Sequence, residues 1–211
     1  MHNDIIIVLT HHYVCVIYLS HSIHYNFTIK FQSSDLIQDH RFLDSFVVLL
    51  ASIISKARTL EDRIPGCQFL AIITGKENTY FERSFEALGV TQDDRTSVPD
   101  APCTKGFCEL MRSVAATGSL AEMLAVIVVC EWSYLSWGEI VLDTHVRKNF
   151  YCFEWVDLHS GEYFTSVVEY LRSLLDKEGE SLSDEEKQAT KTRFLEAVQL
   201  EEDFFDFAMQ K

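Results

Sequence analysis

Two carboxylic acids interrupt the apolar stripes of two helices that the sequence predicts. Glu201 lies three residues after Val198 and four before Phe205, and Asp39 lies four residues before Leu43, so helical spacing places both acids on apolar faces. An unpaired, ionised carboxylate in an apolar interior costs several kcal/mol or shifts its pKa until it is neutral. Each acid therefore needs either a partner, such as a buried cation or a helix amide, or a chemical function.

A thiol, Cys130, lies on a third apolar surface, midway along the most apolar stretch of the chain. If the thiol and the two acids converge inside a helical bundle, they are suited to nucleophilic catalysis. A thiolate attacks an electron-poor carbon while one carboxyl group orients the substrate and another transfers a proton. The alternative is inert packing, since free cysteine commonly packs like a small hydrophobe.

The elements that must position these residues are predicted to be helices, which makes the fold all-α, with about seven helices. The Cys130 helix begins at a capping box, Ser119 with Glu122, and it is apolar on nearly every side, as a central, buried helix is. A second capping box, Ser183 with Glu186, begins the Glu201 helix. The predicted helices span residues 34–57, 68–88, 105–116, 120–141, 151–159, 162–177 and 184–209.

Several of the predicted helix boundaries are inferred from single residues. Ser34 is the predicted N-cap of the Asp39 helix. The helix over residues 68–88 is weakened by Gly75 and ends at Gly89, a residue type that commonly ends helices in the left-handed conformation. The polar, acidic stretch 91–102 is predicted to be a loop.

Composition narrows the class of protein. A chain of 211 residues is expected to form one domain with a sizeable core. The net charge of -14 argues against nucleic acid as a partner, because a phosphate backbone is bound by basic residues. The six cysteines include no Cys-x-x-Cys pair, which favours a reducing compartment over a disulfide framework.

Residues 1–30 form an atypical N-terminal segment ahead of a helical domain over residues 31–211. Its apolar run of about fifteen residues is shorter than the roughly twenty that span a bilayer, so we expect a soluble, cytoplasmic protein without membrane contact, with organellar targeting left open. No histidine in the chain has a glutamate three residues before it, as di-iron carboxylate bundles require. We therefore expect no metal and no other cofactor. The segment's histidines, which match no known ligand spacing, are His2, His11, His12, His21 and His24.

Three blocks of sequence resemble the TenA family, also called thiaminase II or aminopyrimidine aminohydrolase, whose members have the haem-oxygenase-like helical fold. A Gln-Asp pair with an aromatic residue three positions later occurs in LIQDHRFL, a Cys-x-Trp-x-Tyr pattern in GSLAEMLAVIVVCEWSYLSWGE, and a Glu-x-x-Phe-aromatic ending in LEEDFFDFA. A weaker match is WVDLHS. The order and spacing of these blocks, which together span roughly residues 31–209, carry the resemblance.

The resemblance implies a thiamine-salvage hydrolase that converts an aminomethyl-pyrimidine into the hydroxymethyl-pyrimidine and ammonia. Some members also cleave thiamine, and relatives commonly form homo-oligomers, so we expect a small-molecule pyrimidine as the partner of a homo-oligomer. The family's nucleophile falls on Cys130, its pyrimidine-binding aspartate on Asp39 and its proton-transferring glutamate on Glu201. The remaining pocket positions that the resemblance implies for substrate binding fall on Phe42, Phe107, Tyr134 and His159.

The chain departs from the family pattern in three places. Phe107 and His159 stand where the family usually has tyrosine, so two hydroxyl groups are missing, and the family's first helix with its His-Pro-Phe segment has no counterpart before residue 30. These departures favour an alternative, a catalytically impaired protein that still binds pyrimidines. A third hypothesis, a cofactor-independent oxidase of the related pyrroloquinoline-quinone type, is disfavoured by the thiol at Cys130 and the acid at Glu201.

Overall fold

The computed structural model describes residues 33–142 and 147–209, and over these two ranges the chain is all-α, without a strand. The predicted fold class is confirmed. The N-terminal segment and its histidines lie outside the described residues. In chain order the elements are α1 Ser33–Lys56, α2 Leu60–Ile72, the π-helical turn Ile73–Glu77, α3 Asn78–Leu88, α4 Gln92–Ser97, α5 Pro102–Thr117, α6 Leu120–Leu142, α7 Phe150–Leu158, α8 Gly161–Gly179 and α9 Asp184–Met209.

Both predicted capping boxes are formed. At the start of α6 the Ser119 N–H donates to Glu122 Oε2 at 2.8 Å, and the Glu122 N–H donates to Ser119 Oγ at 3.2 Å. Ser183 and Glu186 make the same reciprocal pair at the start of α9, at 2.8 and 3.3 Å. Ser34, in contrast, already lies within the first turn of α1, so the prediction that it caps this helix is wrong.

The second helical region begins earlier than predicted and is less regular. Thr59 caps α2 by accepting the Asp62 N–H on its side chain, so the predicted start at residue 68 is wrong. The start could not be recognised in the sequence because of Pro65, since proline usually breaks a helix and is rarely found in its interior. The helical hydrogen-bond pattern then changes to that of a π-helix over one turn and returns to α-helical in α3. Helix α3 ends as predicted at Gly89, which has a φ of 68°.

The stretch predicted to be a loop contains a short helix, α4, which corrects the prediction for residues 91–102. Thr91 and Asp94 form a third capping box, with the Asp94 N–H donating to Thr91 Oγ1 at 3.1 Å and the Thr91 N–H to Asp94 Oδ2 at 2.8 Å. The same Ser/Thr-x-x-acid pattern that revealed the other two boxes was present here. Pro102 then occupies the first turn of α5, where its missing N–H costs nothing.

The central helix of the bundle is α6, which packs against α1, α5, α7, α8 and α9. It is buried without a break from Met123 to Glu131, as its all-round apolar sequence predicts. Within the described ranges it is also the one helix long and apolar enough to cross a membrane, and 67% of its apolar window is buried inside the protein. The apolar composition of α6 is therefore that of a helix in the protein core.

Candidate active site

An internal cavity runs beside α6 and has two lobes that share Asp39 on α1, Phe42 one turn later, and Tyr134 on α6. The smaller lobe, here called the Glu201 lobe, has an empty volume of about 240 Å³, and the larger, the Glu77 lobe, one of about 360 Å³, both including space that is open to solvent. The Glu201 lobe is completed by Thr104, Phe107, Glu201 and Phe204. The Glu77 lobe is completed by Leu43, Phe46, Ile73, Glu77, Glu131 and His159.

Asp39 stands at the junction of the two lobes. The indole N–H of Trp155 on α7 donates to its Oδ2 at 3.0 Å. Burial raises the pKa of Asp39 from 3.8 to about 6, and the Trp155 hydrogen bond opposes this rise. Asp39 is therefore mostly ionised at neutral pH and is the acceptor that both lobes share.

Glu201 is 5% exposed on α9, and its Oε1 has no hydrogen-bond partner within the described ranges. Its pKa is raised well above the usual value, first by burial and then by the nearby charge of Asp39, while a hydrogen bond with the Cys130 thiol acts in the opposite direction. The neutral acid is the favoured form. Its neighbours Glu202 and Asp203 are exposed, as the stripe pattern predicts.

Cys130 is fully buried and lines neither lobe, because it lies behind Glu201. Its thiol donates to the Val126 carbonyl at 3.3 Å. The pKa of the thiol is raised well above its usual value by burial, and the acids at Glu201 and Glu131 raise it further. The thiol is thus protonated in the unliganded protein. The structure brings Asp39 and Glu201 to one lobe, and Cys130 contacts Glu201 from outside that lobe.

Aromatic rings form the rest of the wall. Phe42 and Phe107 meet edge to face with centroids 5.1 Å apart. Tyr134 packs against Trp155, His159 and Phe205, with centroid distances of 5.4, 5.1 and 6.0 Å.

His159 belongs to the Glu77 lobe and is held as a neutral donor. Its Nδ1 lies 2.8 Å from the Trp155 carbonyl, and because a carbonyl only accepts, the proton is on Nδ1. Burial lowers the pKa of His159 to about 4. Two positions near His159 require glycine. A Cβ on Gly138 would lie 2.2 Å from the His159 carbonyl oxygen, and Gly161 has a φ of 79°, in the left-handed region.

Two further acids line the Glu77 lobe and were missed from the sequence. Glu131 is 7% exposed on α6, and burial and the other acids raise its pKa well above the usual value. Burial and Asp39 raise the pKa of Glu77, at the end of the π-helical turn, to about 8. Helical spacing places Glu77 on an apolar face as well, because it lies four residues after Ile73 and four before Phe81. Glu131 was detectable as the one acid between Met123 and Tyr134.

No group of three or more histidine, cysteine, aspartate or glutamate side chains in the described part of the chain is arranged to hold a metal ion. The acids face the cavity from several sides without converging on one point. The chemistry that this donor set offers is hydrogen bonding and proton transfer.

Fold and cavity together define a class of protein, an all-helical bundle with an acid-lined cavity between its helices. The model of the TENA/THI-4/PQQC family matches residues 30–211, and the chain belongs to this family. The resemblance seen in the three sequence blocks is thereby confirmed.

Relatives and solved structures agree with this assignment. The chain is 27% identical over 173 residues to an aminopyrimidine aminohydrolase of Halalkalibacterium halodurans, a match that covers 81% of this chain and 77% of that protein. It is 24% identical over 177 residues to the aminopyrimidine aminohydrolase of Helicobacter pylori, with 83% and 81% covered. A TenA homologue from Pyrococcus furiosus has the same fold, with a TM-score of 0.73 at 20% identity over 85% of each chain. So does a TenA homologue from Pseudomonas syringae, with a TM-score of 0.64 at 17% identity over 84% of this chain and 78% of that one.

Proposed function

We propose that this protein is an aminopyrimidine aminohydrolase of thiaminase II type, which serves thiamine salvage by releasing ammonia from an aminomethyl-pyrimidine. Family membership and the names of two relatives support the class of reaction. The observation that carries the proposal is Glu201. It is a buried acid with an unpartnered oxygen, placed between the Cys130 thiol and a cavity that also holds Asp39.

In this proposal the pyrimidine ring occupies the Glu201 lobe. Phe42, Phe107 and Tyr134 supply aromatic surface for the ring, and the ionised Asp39 accepts from its amino group and ring nitrogen. Trp155 holds Asp39 in place through the 3.0 Å hydrogen bond. The ring is thus oriented before any bond changes, which lowers the entropic part of the barrier.

The chemistry begins with addition of the Cys130 thiol across a carbon–nitrogen double bond of the ring. Sγ bonds to the carbon, and the thiol proton passes to the ring nitrogen. Loss of the exocyclic amine follows: Glu201 gives its proton to the departing nitrogen, and the ring N–H proton returns to Glu201 as the electron pair forms the exocyclic methylene.

Water then adds to the methylene carbon, with one proton passing to the ring nitrogen, and the carbon–sulfur bond breaks as that proton returns to Sγ. The products are the hydroxymethyl-pyrimidine and ammonia, and the enzyme is regenerated. The raised pKa of Glu201 suits the elimination step, because its neutral form is the one that protonates a leaving amine.

A second candidate function is binding of the pyrimidine without turnover. The position of Cys130 favours it, since the thiol lies behind Glu201 and contributes to neither lobe. The missing hydroxyl groups at Phe107 and His159 point the same way, because they remove two polar contacts from the wall.

The deciding experiment measures ammonia release from aminomethyl-pyrimidine by the wild type, Cys130→Ser and Glu201→Gln. We expect the wild type to release ammonia and both variants to lose at least about 100-fold in kcat/KM. Cys152→Ser and Glu202→Gln are matched controls away from the cavity, and both should retain activity. Full activity in Cys130→Ser and Glu201→Gln would refute the proposed roles, and thermal stabilisation by the pyrimidine without ammonia release would support the binding protein.

A further inference from the structure

One acid in the wall of the Glu77 lobe has no role in the proposed reaction. Glu131 directly follows Cys130 on α6, is 7% exposed and lines the lobe. Its carboxyl group makes no hydrogen bond or ion pair with any residue in the ranges 33–142 and 147–209. Burial and then the neighbouring acids raise its pKa well above the usual value, so the group is a neutral acid whose O–H is a donor. A buried donor without a partner is costly, so its place in a cavity wall points to a ligand that accepts from it.

His159 lines the same lobe and supplies the complementary group. Its Nδ1–H donates to the Trp155 carbonyl at 2.8 Å, so the other ring nitrogen, Nε2, carries no proton and is an acceptor. Burial lowers the pKa of His159 to about 4, which keeps the ring neutral and Nε2 available as an acceptor at neutral pH. No residue of the described ranges hydrogen-bonds to Nε2. Glu131 and His159 therefore place an unpartnered donor and an unpartnered acceptor in one lobe.

A donor and an acceptor in one cavity suit a small group that both accepts and donates, as water and alcohols do. The proposed reaction needs such a molecule, because water must add to the exocyclic methylene once the amine has left. The amine leaves toward Glu201, so the opposite face of the planar methylene carbon stays accessible from the other lobe. Asp39, Phe42 and Tyr134 line both lobes, so a ring that lies in one lobe adjoins the other. Glu77 is half-buried, and water can enter the lobe beside it.

We propose that Glu131 and His159 form a water subsite, which holds the water molecule that adds to the exocyclic methylene and then the hydroxyl group of the product. The proposal rests on the proposed function for the position of the ring. The Glu131 O–H donates to the water oxygen, and one water O–H donates to Nε2 of His159. As the oxygen bonds to the methylene carbon, the electron pair of the exocyclic double bond moves into the ring, and the second water proton passes to the ring nitrogen. Neither side chain changes its protonation state, so both act by positioning the water.

Calorimetric titration with two matched ligands tests the subsite without turnover. One ligand is the hydroxymethyl-pyrimidine product, and the other is the same pyrimidine with methyl in place of hydroxymethyl. We expect the wild type to bind the first at least about fivefold more tightly, since its hydroxyl group both accepts and donates in the subsite. Glu131→Leu should bind the two within about twofold, and Glu131→Gln, which keeps an N–H donor, should keep the preference. Glu202→Leu makes the same change on the exposed face of α9 and should leave the preference in place.

A second pair of variants tests His159. The amide nitrogen of asparagine can replace Nδ1 and keep the bond to the Trp155 carbonyl, so His159→Asn removes only the acceptor and should bind the two ligands within about twofold. The amide oxygen of glutamine lies nearer the position of Nε2, so His159→Gln should keep a preference of at least about threefold. A wild type that binds both ligands equally, or a preference that survives unchanged in Glu131→Leu or His159→Asn, would overturn the subsite. Glu131→Leu removes a carboxyl group without a partner, so it should fold at least as stably as the wild type, and it decides the outcome if His159→Asn does not fold.

Rapid-quench kinetics identifies the step that the subsite serves. Amine loss precedes water addition, so Glu131→Leu should release its first equivalent of ammonia at the wild-type rate and then form the hydroxymethyl-pyrimidine at least about tenfold more slowly. General damage to the cavity would slow the release of ammonia to the same extent, and that result would overturn the positioning role.

Failure of the subsite and failure of the proposed function give different results. A wild type that prefers the hydroxymethyl ligand through Glu131 and His159 and releases no ammonia from aminomethyl-pyrimidine retains the subsite as a hydroxyl site and loses the hydrolase. A wild type that releases ammonia and binds both ligands equally retains the hydrolase and loses the subsite.

Discussion

Trp155 donates its indole N–H to the Oδ2 atom of Asp39 at 3.0 Å and so links α7 to α1. These residues are 116 positions apart in the chain, and the bond joins the helix of the Gln-Asp block to the helix of the WVDLHS block. It also acts on the acid itself, because it opposes the rise in pKa that burial causes. Trp155 is thus a positioning residue for the acid that both lobes share.

Replacement of Trp155 by phenylalanine should therefore raise the pKa of Asp39 above its value of about 6. If the ionised form binds the pyrimidine, the acidic limb of the pH profile of kcat/KM should move to higher pH and KM should rise. The matched control is Trp132→Phe, whose indole lies under Arg172 and away from the cavity. A pH profile that stays in place in Trp155→Phe would show that the hydrogen bond does not tune Asp39.

Thr104 gives a prediction with opposite effects on binding and stability. Its Oγ1 is buried in the Glu201 lobe without a hydrogen-bond partner in the described ranges. Thr104→Val should weaken pyrimidine binding by about 2- to 10-fold, the value of one hydrogen bond, and leave the free energy of unfolding unchanged or raised. Thr190→Val is the control, since Thr190 Oγ1 donates to the Glu186 carbonyl at 2.8 Å. That control should lose stability and keep affinity, and the reverse pattern would contradict the assignment.

Gly138 is expected to tolerate no side chain. A Cβ there would lie 2.2 Å from the His159 carbonyl oxygen, which is closer than real Cβ contacts come, so Gly138→Ala must displace the junction of α7 and α8. We expect a loss of at least about 2 kcal/mol in unfolding free energy, together with loss of pyrimidine binding. Gly75→Ala is the matched control, because nothing lies within 4 Å of its Cβ position. It should be neutral or stabilising by up to about 1 kcal/mol.

Stability should fall as pH rises from about 6.5 to about 8. Burial, with the charge of Asp39, raises the pKa of Glu77 from 4.5 to about 8, so the folded state keeps a proton that the unfolded state has released. The contribution is complete below pH 4.5 and is lost as pH rises through 8. His159, whose pKa falls from 6.5 to about 4, acts oppositely and only below pH 6.5.

The measurement is the Tm at pH 6.5 and at pH 8, where the wild type should lose at least about 2 °C and Glu77→Gln should lose less. Glu86→Gln is an exposed control, and its Tm should follow the wild type. A Tm that falls equally in the wild type and in Glu77→Gln would show that Glu77 is ionised in the folded state.

Local patterns predicted the helices where a cap or a periodic stripe was intact. Ser119 with Glu122 and Ser183 with Glu186 placed two helix starts correctly. Where proline lay inside a helix, at Pro65, the local signal was misleading because the packing of α2 against α1 and α8 outweighs one lost hydrogen bond.

The homo-oligomer and the cytoplasmic location stay predictions.

The sequence by itself placed two acids on apolar helix faces. Asp39 and Glu201 fall on apolar stripes by the 3.6-residue period alone, and the motifs around them identify the family. Only the tertiary structure decided what surrounds them, because the partners come from other helices: Trp155 reaches Asp39 from α7, and Cys130 lies behind Glu201 in α6. The second lobe was also undetectable from local patterns, since a cavity is a property of how helices pack, although its acids Glu77 and Glu131 stand out in the sequence. The periodicity of one helix gives the face on which a side chain lies, and the packing of the helices determines which residues it contacts.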